Sequence, residues 1–220
     1  MSEGRHRETE SLAFFLFRVF IITSFFILFR FTWRKLGPTP STGPLIFVLN
    51  HQSYLDPIIS RIPHRRTLYY MARSTLFRNR LFGWFIRSVG AVPVDREGTG
   101  LDGIRIATKI LKDNGAILIF PDATRSADGT IGAFKPGFVW LAQSTGAAVQ
   151  PIVLCGANRA WNRNAKMFSP RKIRATVLPA IDASAFVPRE GETKKEAQER
   201  CASEIREMMA KTLAEMEAAR

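Results

Sequence analysis

"PLIFVLNHQSYLDP", Pro44 to Pro57, begins as an unbroken apolar run and ends in a polar turn. Leu45 to Leu49 reads as a β-strand, and the same kind of run recurs at Leu68 to Met71, Ala91 to Val94, Ala116 to Phe120, Val149 to Leu154 and Ile173 to Leu178. Between these runs the spacing predicts helices at Leu76 to Ser88, Leu101 to Asp113 and Gly137 to Thr145, and a charged helix from about Glu192 to Met216. Strands alternating with helices predict an α/β domain with a mostly parallel central sheet flanked by helices. In such sheets, ligand-binding residues collect where strands end.

Three strand ends carry chemical residue types: "LNHQSYLD", "VPVDRE" and "IFPDATRS". The chain has 3 histidines; His6 lies in a polar leader, His64 lies in "RIPHRR", and His51 alone follows a predicted strand. On a helix, residues five apart diverge by about 140°, so His51 and Asp56 meet only if a turn folds them together. Asp56 would then orient the imidazole and leave its other nitrogen free as a general base. Asp56 before Pro57 also fits a helix N-cap with proline at the first helical position. Arg125, in a loop after an apolar strand and flanked by hydroxyls, suits bidentate phosphate binding, and Arg96 ends another strand in the same way.

The formal net charge is +13, and it is concentrated. Pro57 to Val94 and Asn158 to Arg174 contain arginines and lysines but no acid. Such blocks attract polyanions or form a solvated basic face. "LAFFLFRVFIITSFFILF", Leu12 to Phe29, has one charge in 18 residues and spans ~27 Å as a helix, close to the hydrocarbon thickness of a bilayer. Its fifteen apolar residues, at about −0.3 to −0.6 kcal/mol each, outweigh the ~3 kcal/mol cost of Arg18 at mid-bilayer. A membrane-inserted helix is expected, a buried core helix being the alternative. Arg30, Arg34 and Lys35 after it outnumber Arg5 and Arg7 before it, which biases the main domain toward the cytoplasmic face. Domains are therefore expected at 1–36 (leader and membrane helix), 37–44 (a linker, "GPTPSTGP"), 45–188 (the α/β domain) and 189–220 (a closing helix). That last helix should pack through Ile205, Met208, Met209 and Leu213. Cys155 and Cys201 have neither the spacing of a metal site nor the number of a disulfide framework.

These blocks together resemble the glycerolipid acyltransferases typified by 1-acylglycerol-3-phosphate acyltransferase. Asn50, His51 and Asp56 match that family's Asn-His-x-x-x-x-Asp block, and "GAVPVDR", Gly90 to Arg96, matches its second. "FPDATRS", Phe120 to Ser126, matches a third block that in the family reads Phe-Pro-Glu-Gly-Thr-Arg-Ser, and "VQPIVL" around Pro151 matches a fourth. The resemblance covers about Leu45 to Leu178 with order and separations kept. It departs at Asp122, where the family has Glu, and at Ala123, where it has Gly.

The resemblance implies that His51, oriented by Asp56, deprotonates an acceptor hydroxyl that attacks the thioester of acyl-CoA or acyl-carrier protein. It implies that Arg96 and Arg125 anchor the acceptor's phosphate, and it places Asn50, Asp122, Thr124 and Ser126 with them on the substrate side. Backbone N–H groups of the His51 turn are the expected oxyanion donors. The acyl thioester is a co-substrate, so no cofactor or metal is expected; membrane lipids are the expected partners, nucleic acid is not. A transacylase using phospholipid as donor keeps the same fold and would release no CoA. A hydrolase lacks its Gly-x-Ser-x-Gly elbow here, and a nucleic-acid-binding protein is favoured by charge alone.

Overall fold

The computed structural model describes residues 20, 23–24, 26–60, 66–95, 101–122 and 124–219. Its strands are β1 (Thr32–Lys35), β2 (Leu45–Leu49), β3 (Leu68–Arg73), β4 (Ala91–Val94), β5 (Ala116–Ile119), β6 (Ala148–Cys155) and β7 (Arg174–Val177). The helices are α1 (Asp56–Ile59), α2 (Arg80–Ser88), α3 (Leu101–Lys112), α4 (Gly137–Thr145), α5 (Ala157–Trp161) and α6 (Lys194–Ala218). The strands form one sheet in the order β1-β7-β6-β2-β5-β3-β4. Every neighbouring pair is parallel except β6 with β7.

Each residue of β2 is fully buried because helices cover both faces of the sheet, as a central parallel strand requires. Leu45, Phe47 and Leu49 point into one core with Phe29, Phe31, Leu55 and Ile59. Ile46 and Val48 point into the other, with Leu111 of α3, Phe138 and Val139 of α4 and Met209 of α6. Local signals agree with the packing. Gly146 closes α4 in the left-handed conformation, and Thr193 with Glu196 forms a capping box at the start of α6. Gly90 (φ 92°) starts β4 where a Cβ would lie 1.9 Å from the carbonyl oxygen of Leu68, so only glycine lets β4 close on β3.

Several expectations change. Strand β1 pairs with β7, so the sheet begins inside the stretch assigned to the leader, and Phe29 and Phe31 belong to its core. The expected linker is packed onto the domain: Arg66 donates to the carbonyls of Pro40 and Gly43, Gln150 to that of Pro38. The helix expected over Leu76 to Ser88 is a 3-10 turn, Ser74–Phe77, followed by α2, with Asn79 capping the latter. On α6, Ile205, Met209 and Leu213 are buried but Met208 is exposed, since the buried face also takes Ala197, Cys201, Ala202 and Met216. Most of the Leu12 to Phe29 segment lies outside the described residues. Among those described, no helix is long and apolar enough to cross a membrane.

Because β2, β3, β5 and β6 run parallel, the segments leaving them all emerge at one edge of the sheet. His51, Ser74, Pro121 and Gly156 lie just beyond those four strands, and the site is built there.

Candidate active site

Asn50 ends β2. Its Oδ1 accepts from the Leu154 N–H at 2.8 Å and its Nδ2 donates to the Leu154 carbonyl at 3.0 Å, so the side chain continues the ladder with β6 past the end of the strand. It is 1% exposed. Asn50 is therefore not substrate-facing, contrary to expectation, and it fixes the point from which the next residue departs.

His51 is held on every side. Its Nδ1 lies 2.7 Å from Asp56 Oδ2, its ring stacks on Phe120 with centroids 4.1 Å apart, its N–H donates to Asp122 Oδ2 at 3.0 Å, and its carbonyl accepts from the Ser126 N–H at 2.8 Å. A carboxylate can only accept, so Nδ1 carries a proton, and in the neutral ring Nε2 keeps its lone pair. The imidazole is 20% exposed and Asp56 is 0% exposed. The imidazole can thus meet a ligand while Asp56 stays dry.

Asp56 Oδ2 also accepts from the N–H groups of Gln52 (2.6 Å) and Ser53 (2.7 Å). Those bonds fold the turn that brings the two residues together. Burial pushes the Asp56 carboxyl above its ordinary value, and the hydrogen bonds from His51, Ser53 and Gln52 oppose that rise. The N-cap reading does not hold: Leu55 is the cap residue, Asp56 is the first residue of α1, and no side chain caps the helix. The carboxylate is turned back into the loop, where its three donors are.

The expected oxyanion donors are also spent. The N–H groups of His51, Gln52 and Ser53 bond carboxylates, that of Tyr54 bonds the Trp161 carbonyl, and that of Leu55 bonds Ser53 Oγ. An oxyanion formed here would need other donors.

The loop after β5 divides into support and contact. Ser126 Oγ donates to Asp128 and accepts from the Gly129 N–H, which ties it into the turn. Gln52, unnoticed in the sequence, donates to the Gly129 carbonyl at 2.8 Å and ties the two loops together. Thr124 is exposed, with its N–H on the Asp122 carbonyl. Arg125 lies over the ring of Tyr54, 3.8 Å from its centroid, and Tyr54 in turn packs against Trp161 at 5.3 Å. An aromatic two residues before Asp56 was the only available sign of that platform. Arg96 lies outside the described residues.

Asp122 supports His51 through its backbone, and its Oδ1 is buried with no partner among the described residues. Burial raises its carboxyl to about 6, against the hydrogen bond from His51. The folded value stands above the unfolded one, so the folded state binds the proton more tightly. This contribution to stability is full below about pH 4 and disappears as pH rises through about 6. Asp122→Asn keeps an acceptor for the His51 N–H and cannot ionise. It should unfold with less pH dependence than the parent and gain about 1–3 kcal/mol relative to it between pH 4.5 and 7.5 in urea melts. Parallel pH profiles for the two proteins would show that Asp122 is ionised across the whole range.

The family described as Acyltransferase matches residues 30–155. A chloroplastic 1-acyl-sn-glycerol-3-phosphate acyltransferase of Arabidopsis thaliana is 30% identical over 148 residues, 66% of this chain and 41% of that protein. The 1-acyl-sn-glycerol-3-phosphate acyltransferase of Bacillus subtilis is 31% identical over 120 residues, 53% of this chain and 58% of that protein. The chain thus spans about half the length of the curated relatives it matches. The crystal structure of the 1-acyl-sn-glycerophosphate acyltransferase PlsC from Thermotoga maritima superposes with a TM-score of 0.67 at 25% identity, over 90% of this chain and 88% of that one. The matched span runs from β1 to the end of β6 and takes in more than half of the sequence: this chain belongs to the acyltransferase family.

Proposed function

We propose that the protein moves a fatty acyl group from acyl-CoA or acyl-carrier protein to the free hydroxyl of a lysophospholipid, 1-acylglycerol-3-phosphate first among them, giving phosphatidic acid. The observation that carries this is the 2.7 Å contact of His51 Nδ1 with a fully buried Asp56, on a ring that is itself accessible. Nε2 takes the proton of the acceptor hydroxyl as its oxygen attacks the thioester carbonyl. The tetrahedral intermediate collapses to the ester and expels the thiolate, which recovers the proton from His51. Asp56 stabilises the imidazolium formed in between. Arg125 carries a guanidinium braced from one face by Tyr54, with its edge available to a phosphate. Residues 12–29 and the basic blocks support a place at the membrane.

The test is an assay of the purified protein with a panel of lysolipids and both thioester donors, read by mass spectrometry for product and released thiol. Acyl transfer without loss of thioester would replace this reading with transacylation. In the same assay Arg125→Ala should raise the KM for phosphate-bearing acceptors about 10- to 100-fold, the worth of a charged hydrogen bond, with Arg125→Lys between it and the parent. Tyr54→Leu should raise it only about 2- to 5-fold, the worth of a cation–π contact. Equal effects on acceptors with and without phosphate would assign Arg125 to holding the loop.

A further inference from the structure

The acid-free stretch from Asn158 to Arg174 gives no cation to the chemistry at His51, yet the fold gathers several of its cations in one place. A cavity of about 560 Å³ opens where β6 ends and β7 begins, on the side of β6 away from β2. Arg159, Arg171, Lys172 and Arg174 line it, joined by Arg30 from in front of β1. His51, Asp56 and Arg125 do not.

Two of the five cations are already engaged. Arg174 donates to the carbonyls of Ala219, at 3.2 Å, and Met216, closing the C-terminal end of α6, and Arg159 lies 3.9 Å from Glu217. Arg30, Arg171 and Lys172 are exposed and form no ion pair among the described residues.

Two backbone features hold this group together. Arg30 (φ 44°) is left-handed where it follows helical residues 26–29, an end closed by the Phe31 N–H on the Phe26 carbonyl at 3.2 Å. Glycine is the usual residue at that position, because a Cβ is strained there. Gly156 (φ 88°) would carry a Cβ 2.5 Å from the Lys172 carbonyl oxygen, so its lack of one lets the end of β6 close on the segment that bears Arg171 and Lys172. Like charges are thus assembled against their own repulsion, with a strained arginine among them. An anion relieves the repulsion, and strain at a residue of this kind points to a ligand.

Size and lining set the class of anion. The cavity has the volume of a small-molecule site, more than a single phosphate fills. A second cavity of about 330 Å³ shares Arg174 and Ala219 with it and adds Trp33, Ala175 and Met216. Cations at one end and apolar side chains at the other fit an organic phosphate, its oxygens on the planar guanidinium groups and its body toward Trp33 and Met216.

We propose that this cavity is an accessory site for an organic phosphate of at least two negative charges, bound by Arg30, Arg171 and Lys172. It is separate from His51 and does not depend on acyl transfer. A soluble nucleotide and the headgroup of a phosphatidic acid present the same chemistry, and two arms of one test distinguish them.

The test titrates the full chain carrying Arg125→Ala, which removes the other proposed phosphate contact, with ADP in one arm and dihexanoylphosphatidic acid in the other. Calorimetry at fixed ionic strength reads the affinity. Adding Arg30→Gly, or Arg171→Gln with Lys172→Gln, should weaken binding about 10-fold or more, the worth of a charged hydrogen bond. Glycine accepts the left-handed conformation, so the Arg30→Gly chain should melt no lower than its parent while it loses affinity. Binding of ADP alone assigns the site to a soluble nucleotide, of the phosphatidic acid alone to a lipid, and of both to the phosphate they share. No binding in either arm, or an affinity unchanged by both sets of substitutions, would overturn the proposal and leave these cations as a solvated face. Binding in a parent protein that transfers no acyl group would refute the catalytic reading and leave this one standing.

Discussion

His51→Gln is expected to lower turnover at least ~100-fold in a protein that still folds. Glutamine is chosen because its amide N–H can replace Nδ1 as a donor to Asp56, so the buried carboxylate is not left without that partner. The backbone contacts of residue 51 to Asp122 and Ser126 do not involve the side chain and should persist. What glutamine cannot do is accept and return a proton near neutral pH. The loss should therefore appear in turnover, with a much smaller change in the KM of the acceptor, and thermal melting should show little change beyond the lost stacking on Phe120. Near-normal turnover in a folded variant would remove His51 from the chemistry.

Much of this arrangement is legible in the sequence for a physical reason. Strands covered on both faces must be continuously apolar, and β2 and β5 declare themselves that way. Strand β1 does not. "TWRK" has all four residues exposed, since an edge strand needs only a partner for its backbone, and nothing in its side chains reports that β7 supplies one. Its basic residues read instead as the flank of an apolar helix.

The site divides along the same line. His51, Asp56 and Arg125 are recognisable because their chemistry is in the side chain. Asn50, Asp122 and Ser126 have equally suggestive side chains, yet these are spent on the backbone of Leu154, on that of His51 and within the 126–129 turn. Only the third dimension shows where a polar group is satisfied. The same holds for the amides of residues 51–55, whose position at a turn suggested oxyanion donors until the two carboxylates were seen to occupy three of them.

Asp56→Asn tests whether the histidine acts alone. The change is isosteric, and one oxygen remains to accept from Gln52, Ser53 and His51. The new NH₂ then falls where Oδ1 now lies, buried and without a partner among the described residues, and an unpaired donor there costs about 1–3 kcal/mol. Relief of a buried charge offsets part of that cost, because burial is the largest influence on the Asp56 carboxyl. The fold should therefore survive with modest loss, while turnover falls at least ~100-fold because the imidazolium formed during proton transfer has lost its counter-charge. A role as positioning residue makes a further demand. If Asp56 acts only through His51, the double variant His51→Gln, Asp56→Asn should be no slower than His51→Gln alone, since a carboxylate has nothing to orient once the base is gone. Multiplicative losses in the double variant, with stability accounted for, would show that Asp56 serves the reaction by holding the 51–55 turn and not by charge.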